Sequence, residues 1–331
     1  MRALTVSGDG FVLAERPAAD PRPDQALVEV HAVVVTGRDA VHAPAVLGEG
    51  GVWGFEAAGV VVRQAADGSG PAPGARVVAL GDRPGAWAEL AAFRAGDLAV
   101  VPESVTLEQA AALAVPGLSA LQAVRRLGPV LGRRVLVTGA SGAVAWYAVQ
   151  LAALSGAHVI AATRTAAPPP ATHAPSPAQA PLAQPSGAQP PSTQAPPARP
   201  SGAQPPSPTP LPPGAGEVVA SLDEVTEPVD GVIDVVGGAV LGRAFALLAD
   251  GGRAIAVGTM GGDPLVLDPA GLVTPARRTL ETFWGQWPSG PALGEVLTLI
   301  DRGLLRPENP PAQRWTAVHR PAARSVVTVT R

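Results

Sequence analysis

From Val135 to Thr163 the chain carries no Asp, Glu, Lys or Arg, a stretch longer than the ~20 residues that cross a bilayer. Its punctuation excludes that use. Val135-Leu136-Val137 is a short β-branched run, Thr138-Gly139-Ala140-Ser141-Gly142 a turn, and Ala143 to Ser155 a helix-favouring segment. Gly156 closes that segment before a second run, His158-Val159-Ile160-Ala161. Strand, tight turn, helix, strand is a buried βαβ unit, and it commits the chain to a parallel sheet covered on both faces. Two later runs, Gly231 to Val236 and Gly251 to Val257, extend the same sheet and end at Gly237 and Gly258.

The remainder divides around this unit. Residues 1–112 alternate in short strands between Gly/Pro turns, as an antiparallel barrel-like domain does. Residues 113–164 and 214–265 carry the α/β alternation, and residues 266–331 return to mixed elements with a final strand over Arg324 to Thr330. Between the two α/β pieces, residues 165–213 are Pro, Ala, Ser and Gln with Arg199 as the one charged residue, and Pro185 to Ser192 recurs at Pro200 to Ser207. Such a composition predicts polyproline-rich disorder rather than a domain. It fits a tolerated surface insertion, with a ligand for a proline-recognition module as the alternative.

Composition removes whole classes of chemistry. Lys+Arg 24 against Asp+Glu 27 leaves a net charge of −3, so there is no basic field for nucleic acid or anionic lipid. The cations are all Arg, which excludes Schiff-base chemistry and a phosphate-binding lysine. With Cys 0, thiolate nucleophiles, iron–sulfur clusters and Cys-containing zinc sites are excluded as well. The first residues, MRALTVSGDGFVLAERP, lack the apolar core of a secretory signal and predict a cytoplasmic protein with no membrane partner.

The turn after Val137 places backbone N–H groups of Ser141, Gly142, Ala143 and Val144 at a helix N-terminus, where they and the helix dipole suit a diphosphate. Ala140 stands at the first glycine of a G-x-G-x-x-G pattern and Ala145 at the last, so the alternative is a turn that merely packs. The second strand ends in Thr163 and Arg164, where an NAD-binding protein carries an acid. A guanidinium there favours the 2′-phosphate of NADP(H), the alternative being a solvated strand-end arginine. Val236, Gly237 and Gly258, at the carboxyl ends of later strands, leave room for the nicotinamide half.

Taken in order, several stretches resemble the medium-chain dehydrogenase/reductase superfamily, specifically its zinc-independent quinone oxidoreductase and enoyl reductase branch. They are Thr36-Gly37-Arg38-Asp39, Gly54-Phe55-Glu56-Ala57-Ala58-Gly59, Pro73-Gly74-Ala75-Arg76-Val77, Gly85-Ala86-Trp87-Ala88-Glu89, and Ala110 to Ala123. The resemblance implies a Rossmann domain inserted into a discontinuous GroES-like β-rich domain, in a homodimer. It also implies hydride transfer from NADPH to an activated C=C, carbonyl or quinone of a small-molecule substrate. Zinc-using relatives have Cys where this chain has Thr36 and His where it has Phe55, so no metal is expected. By the same resemblance Thr36 hydrogen-bonds the substrate oxygen, or else serves its own loop, and Ser119 touches the cofactor. His42, Trp53, Phe283 and Trp284 suit the substrate pocket, against surface or core roles. Two rivals remain: a non-redox protein of this fold with lost dinucleotide binding, and an interaction protein using the Pro-rich segment.

Overall fold

The computed structural model describes residues 1–8, 10–163, 211–258, 263–268, 275–319, 321 and 324–329. β1 (Arg2–Ser7) and β2 (Gly10–Glu15) pair antiparallel. β3 (Gln25–Val35) alternates buried and half-exposed residues, which gives it one core face. After α1 (Asp39–Leu47) come β4 (Glu56–Arg63), β5 (Arg76–Leu80), β6 (Leu90–Arg94) and β7 (Leu98–Val100). α2 (Leu107–Leu127) then leads to β8 (Arg134–Thr138), α3 (Ala143–Leu154) and β9 (His158–Ala162). β10 (Glu217–Val219), β11 (Val229–Asp234), α4 (Gly238–Ala246), β12 (Leu248–Ala256) and β13 (Thr279–Thr282) follow. α5 (Gly290–Asp301), β14 (Ala312–Arg314) and β15 (Ser325–Thr328) end the chain's regular structure.

Two main sheets result. The β-rich sheet runs β14-β15-β3-β4-β5-β7, with β6 also paired to β3. The other runs β10-β9-β8-β11-β12-β13, and every pair in it is parallel. Counted from β8, that is the 3-2-1-4-5-6 order of a doubly wound dinucleotide-binding fold, with its switch point between β8 and β11. The central residues of β8, β9 and β11 are apolar and buried because both faces are covered: α2 and α3 on one side, α4 on the other.

α2 joins the two halves. Its N-terminus carries a reciprocal capping box, in which Thr106 Oγ1 accepts from Gln109 N–H and the Gln109 side chain accepts from Thr106 N–H. The helix packs against α3 and α5 as well as β3, β4 and β5. Leu113 and Leu118 are fully buried in that contact, each contributing about 2 kcal/mol. The division between residues 112 and 113 thus falls inside one helix shared by both sheets. The parallel sheet also reaches past residue 265 to β13, a four-residue, half-exposed edge strand whose Thr-Leu-Glu-Thr sequence lacks the long apolar run of its neighbours. Of the Pro-rich stretch, residues 165–210 lie outside the described residues. Among the described residues no helix is long and apolar enough to cross a membrane.

Candidate functional site

The carboxyl ends of β8, β11 and β12 meet at the switch point, each followed by a glycine turn. β8 ends at Thr138, and Gly139 takes a φ of +62°, which a side chain there would strain. A Cβ at Gly139 would also lie 2.7 Å from a Val235 methyl and 2.9 Å from one of Val236. Ala140 N–H donates to Ala162 O at 2.9 Å and Gly142 N–H to Gly139 O at 2.8 Å, which fixes the turn. Gly142 caps α3 with no side chain of its own over the helix end. The N–H groups of Ala143 and Val144 have no acceptor among the described residues. Ser141 is exposed and Gly142, Ala143 and Val144 half-buried, so this positive helix end opens to solvent. Ala140 and Ala145, at the two fingerprint positions lacking glycine, are 1% and 0% exposed and belong to the core beneath the turn. Their methyl groups therefore do not obstruct the crevice. That is the fit a dinucleotide diphosphate requires.

Across the crevice, Gly237 takes a φ of +82° and starts α4, and Val236 and Gly258 are half-buried. A Cβ at Gly258 would lie 2.1 Å from Val235 O, so only glycine fits. Asp234 and Thr138 join these turns and were not singled out from the sequence. The Thr138 hydroxyl donates to Asp234 Oδ1 at 2.6 Å and Gly237 N–H donates to Oδ2 at 2.6 Å. The available signal was an acid in the otherwise apolar run Gly231 to Val236, since a buried carboxylate must be satisfied. Burial pushes the Asp234 carboxyl above its ordinary range, and its donors from Thr138, Gly237 and Val236 pull it back. Thr163 sits at the end of β9 with its N–H donating to Val219 O at 3.0 Å. Arg164 lies outside the described residues. Ser119 is nearly buried in the middle of α2.

On the β-rich side, Asp39 is the hub. Its Oδ2 accepts from Thr36 N–H at 2.6 Å and from the Thr36 hydroxyl at 2.9 Å, and its Oδ1 from Trp53 Nε1–H at 2.8 Å. Asp39 opens α1, where the helix dipole favours a negative charge, yet burial outweighs its donors and raises its pKa. The structure thus commits the Thr36 hydrogen to Asp39, leaving lone pairs to face outward. Trp53 is 7% exposed and packs edge-on against Phe55 at 5.2 Å, so it supports the Asp39 loop from within the core. His42, on α1, is held below the ordinary histidine value by burial and by Arg38, partly offset by Asp39.

Glu56 opens β4 and joins this cluster. Burial first, and the Asp39 charge second, push its carboxyl up to about 7, against the pull of Arg324. Arg324 itself donates to Ala112 O and pairs with Glu308. Glu56 went unread as a site residue because 17 positions separate it from Asp39 in sequence; only the antiparallel pairing of β3 and β4 brings their elements together. Phe283 and Trp284 part company. The Arg126 guanidinium lies 4.6 Å over the Phe283 ring and donates to Trp284 O at 2.7 Å, whereas the Trp284 side chain is 79% exposed. Among the described residues no three His, Cys, Asp or Glu side chains cluster to hold a metal ion.

The parallel sheet in 3-2-1-4-5-6 order, joined through α2 to the β-rich sheet, is a Rossmann domain beside a GroES-like one, the two-domain fold that solved alcohol dehydrogenases and quinone oxidoreductases also have. That likeness takes in alcohol dehydrogenases as well as reductases: the thermostable alcohol dehydrogenase of Pyrobaculum aerophilum superposes with a TM-score of 0.72 at 21% identity, covering 99% of each chain. The quinone oxidoreductase of Thermus thermophilus, solved alone and with NADPH, superposes with a TM-score of 0.68 at 23% identity, covering 99% of this chain and 100% of that one. In sequence the chain is 30% identical over 323 residues, 95% of its length, to the spectinabilin polyketide synthase system protein NorB of Streptomyces orinoci, of which it spans 13%. It is 32% identical over 174 residues to the trans-enoyl reductase tndF of Aspergillus flavipes, the match taking in 46% of this chain and 50% of that protein. No protein-family model matches.

Proposed function

We propose that the chain is a cytoplasmic, metal-independent reductase that uses NADPH to reduce the activated C=C of an enone or enoyl thioester, with a quinone as the alternative acceptor. The observation that carries this reading is the crevice at the switch point, where the open N-terminus of α3 follows one glycine turn and the two others lie at the ends of β11 and β12, with the Ala140 and Ala145 methyl groups in the core. The similarity to a trans-enoyl reductase and to a polyketide synthase protein favours the enoyl substrate. NADPH rather than NADH is favoured because β9 is followed by Thr163 in place of an acid. Metal independence is favoured because the chain has Cys 0, and Thr36 and Phe55 stand where zinc-using relatives have their ligands.

Bound NADPH would supply the hydride that enters the electron-poor carbon of the substrate. The chain's own part is to position and to stabilise. The N–H groups of Ala143 and Val144 hold the diphosphate, while Val236, Gly237 and Gly258 let the nicotinamide half approach the backbone. Thr36 can lend its hydrogen to a substrate oxygen only by releasing Asp39, so the hydroxyl and the Asp39 carboxyl act together. We further propose a homodimer: among the described residues β13 ends the parallel sheet with no partner on its outer side, and Trp284 beyond it is exposed.

The test is titration of the purified protein with NADPH and NADH, followed by quenching of the six Trp residues. NADPH consumption is then measured with an enoyl thioester and with a quinone. Quenching by NADPH at lower concentration than by NADH, with turnover of the thioester, is the expected result. No response to either cofactor overturns the reading. A monomer by light scattering overturns the dimer.

A further inference from the structure

Asp234 is 0% exposed, and the groups that act on its carboxyl are neutral donors, with no cation among them. A carboxylate buried in this way must be satisfied by such donors, and Asp234 uses them in an unusual way. Through Oδ1 it holds Thr138, the residue before the Gly139 turn. Through Oδ2 it holds Gly237, the first residue of the α4 turn. Through its own carbonyl it accepts Val257 N–H at 2.7 Å and Gly258 N–H at 3.1 Å, fixing the turn after β12. The Thr138 hydroxyl in turn accepts Val235 N–H at 3.2 Å. One residue therefore ties together all three glycine turns of the crevice, and it does so with a carboxylate whose two oxygens both accept.

The two nicotinamide states differ by one positive charge on the ring. A fixed anion beneath the turns that flank the ring stabilises the oxidised form more than the reduced one, and in a water-poor site that difference is poorly screened. Building on the NADPH-binding reading above, we infer that Asp234 is the positioning residue of the cofactor crevice and that its charge makes the bound dinucleotide a stronger hydride donor. No bond to Asp234 forms or breaks: bound NADPH would supply the hydride with its electron pair to the electron-poor carbon of the substrate, and the Asp234 carboxylate would favour the positive charge of the oxidised cofactor.

The experiment uses the full chain and measures the dissociation constants of NADP+ and NADPH by tryptophan quenching, for the wild type and for Asp234→Asn. The asparagine keeps an acceptor for Gly237, but its Nδ2 can only donate to Thr138 Oγ1 and the Thr138 hydroxyl hydrogen loses its acceptor, so the ratio of the two constants, rather than either alone, reads the charge. The expected result is that NADP+ weakens about tenfold relative to NADPH, with a thermal midpoint lowered by the orphaned Thr138 hydroxyl. Equal weakening of both ligands, or no change in either, overturns the inference. Should the asparagine variant fail to fold, Asp234→Ser is measured in the same way, since a hydroxyl can accept from a nearby backbone N–H. A wild type that binds neither ligand overturns the reductase reading itself. A wild type that binds both, with an unchanged ratio in the variant, overturns only the role of Asp234.

Discussion

A carboxyl whose pKa rises on folding makes stability depend on acidity, and Glu56 is such a group. Its ordinary value is 4.5 and burial carries it to about 7. The folded state therefore binds more protons than the unfolded chain between these values, and stability falls as pH rises through that window. Below about 4.5 the group contributes nothing to the pH dependence, and above about 7 the full penalty is present, on the order of 3–4 kcal/mol. Glu56→Gln removes the ionisation while keeping the shape. It is expected to raise the urea midpoint at about pH 8 and leave it nearly unchanged at about pH 4.5; equal effects at both would mean that charge is not the cause. Gly258→Ala acts by overlap instead. Its Cβ would sit 2.1 Å from Val235 O, with backbone rather than a flexible side chain in the way. A loss of roughly 3 kcal/mol is expected in chemical denaturation, together with weakened NADPH binding.

At the level of elements, α3 is fastened at both ends of its task. Its N-terminus faces the crevice, and its outer face is bound to the segment after α5. Gln150 Nε2 donates to Arg306 O at 3.2 Å and Gln150 Oε1 accepts Arg306 N–H at 2.8 Å, while Trp146 Nε1 donates to the same carbonyl at 2.8 Å. Gln150→Ala leaves the Arg306 N–H without that partner and is expected to destabilise by about 1–3 kcal/mol in thermal denaturation. The unit β8–α3–β9 was legible in the sequence because both faces of the sheet are covered: uncharged strands, a glycine turn and an alanine-rich helix announce themselves without a tertiary partner. The Thr36–Asp39–Trp53–Glu56 cluster was not. Trp53 reads as a cleft wall or a core residue from sequence alone, and its indole N–H finds Asp39 only once α1 and the segment before β4 have packed. β13 was missed because an edge strand has one covered side and needs no apolar run. For Phe283 nothing in the sequence signalled that Arg126 packs over its ring, since the two meet only through the fold.

For the molecule as a whole, the connection between β9 and β10 decides how far the Pro-rich segment matters. The two strands are parallel neighbours, so the link must return from the end of one to the start of the other, which takes about a dozen residues or more. The chain spends roughly 50 there. Closure entropy grows only as the logarithm of loop length, so shortening the link to about 15 residues would relieve no more than about 1 kcal/mol. A chain with residues 167–208 replaced by a short Gly/Ser linker, retaining Thr163 and Arg164, is therefore expected to fold with a thermal midpoint unchanged or raised by a few degrees. Its affinity for NADPH, read by tryptophan quenching, separates two possibilities for the adenosine side of the crevice. Unchanged binding means that β8, α3 and β9 carry the site by themselves and that the segment is a tolerated insertion. Weakened NADPH binding with NADH binding preserved would instead assign the segment a part in reading the 2′-phosphate.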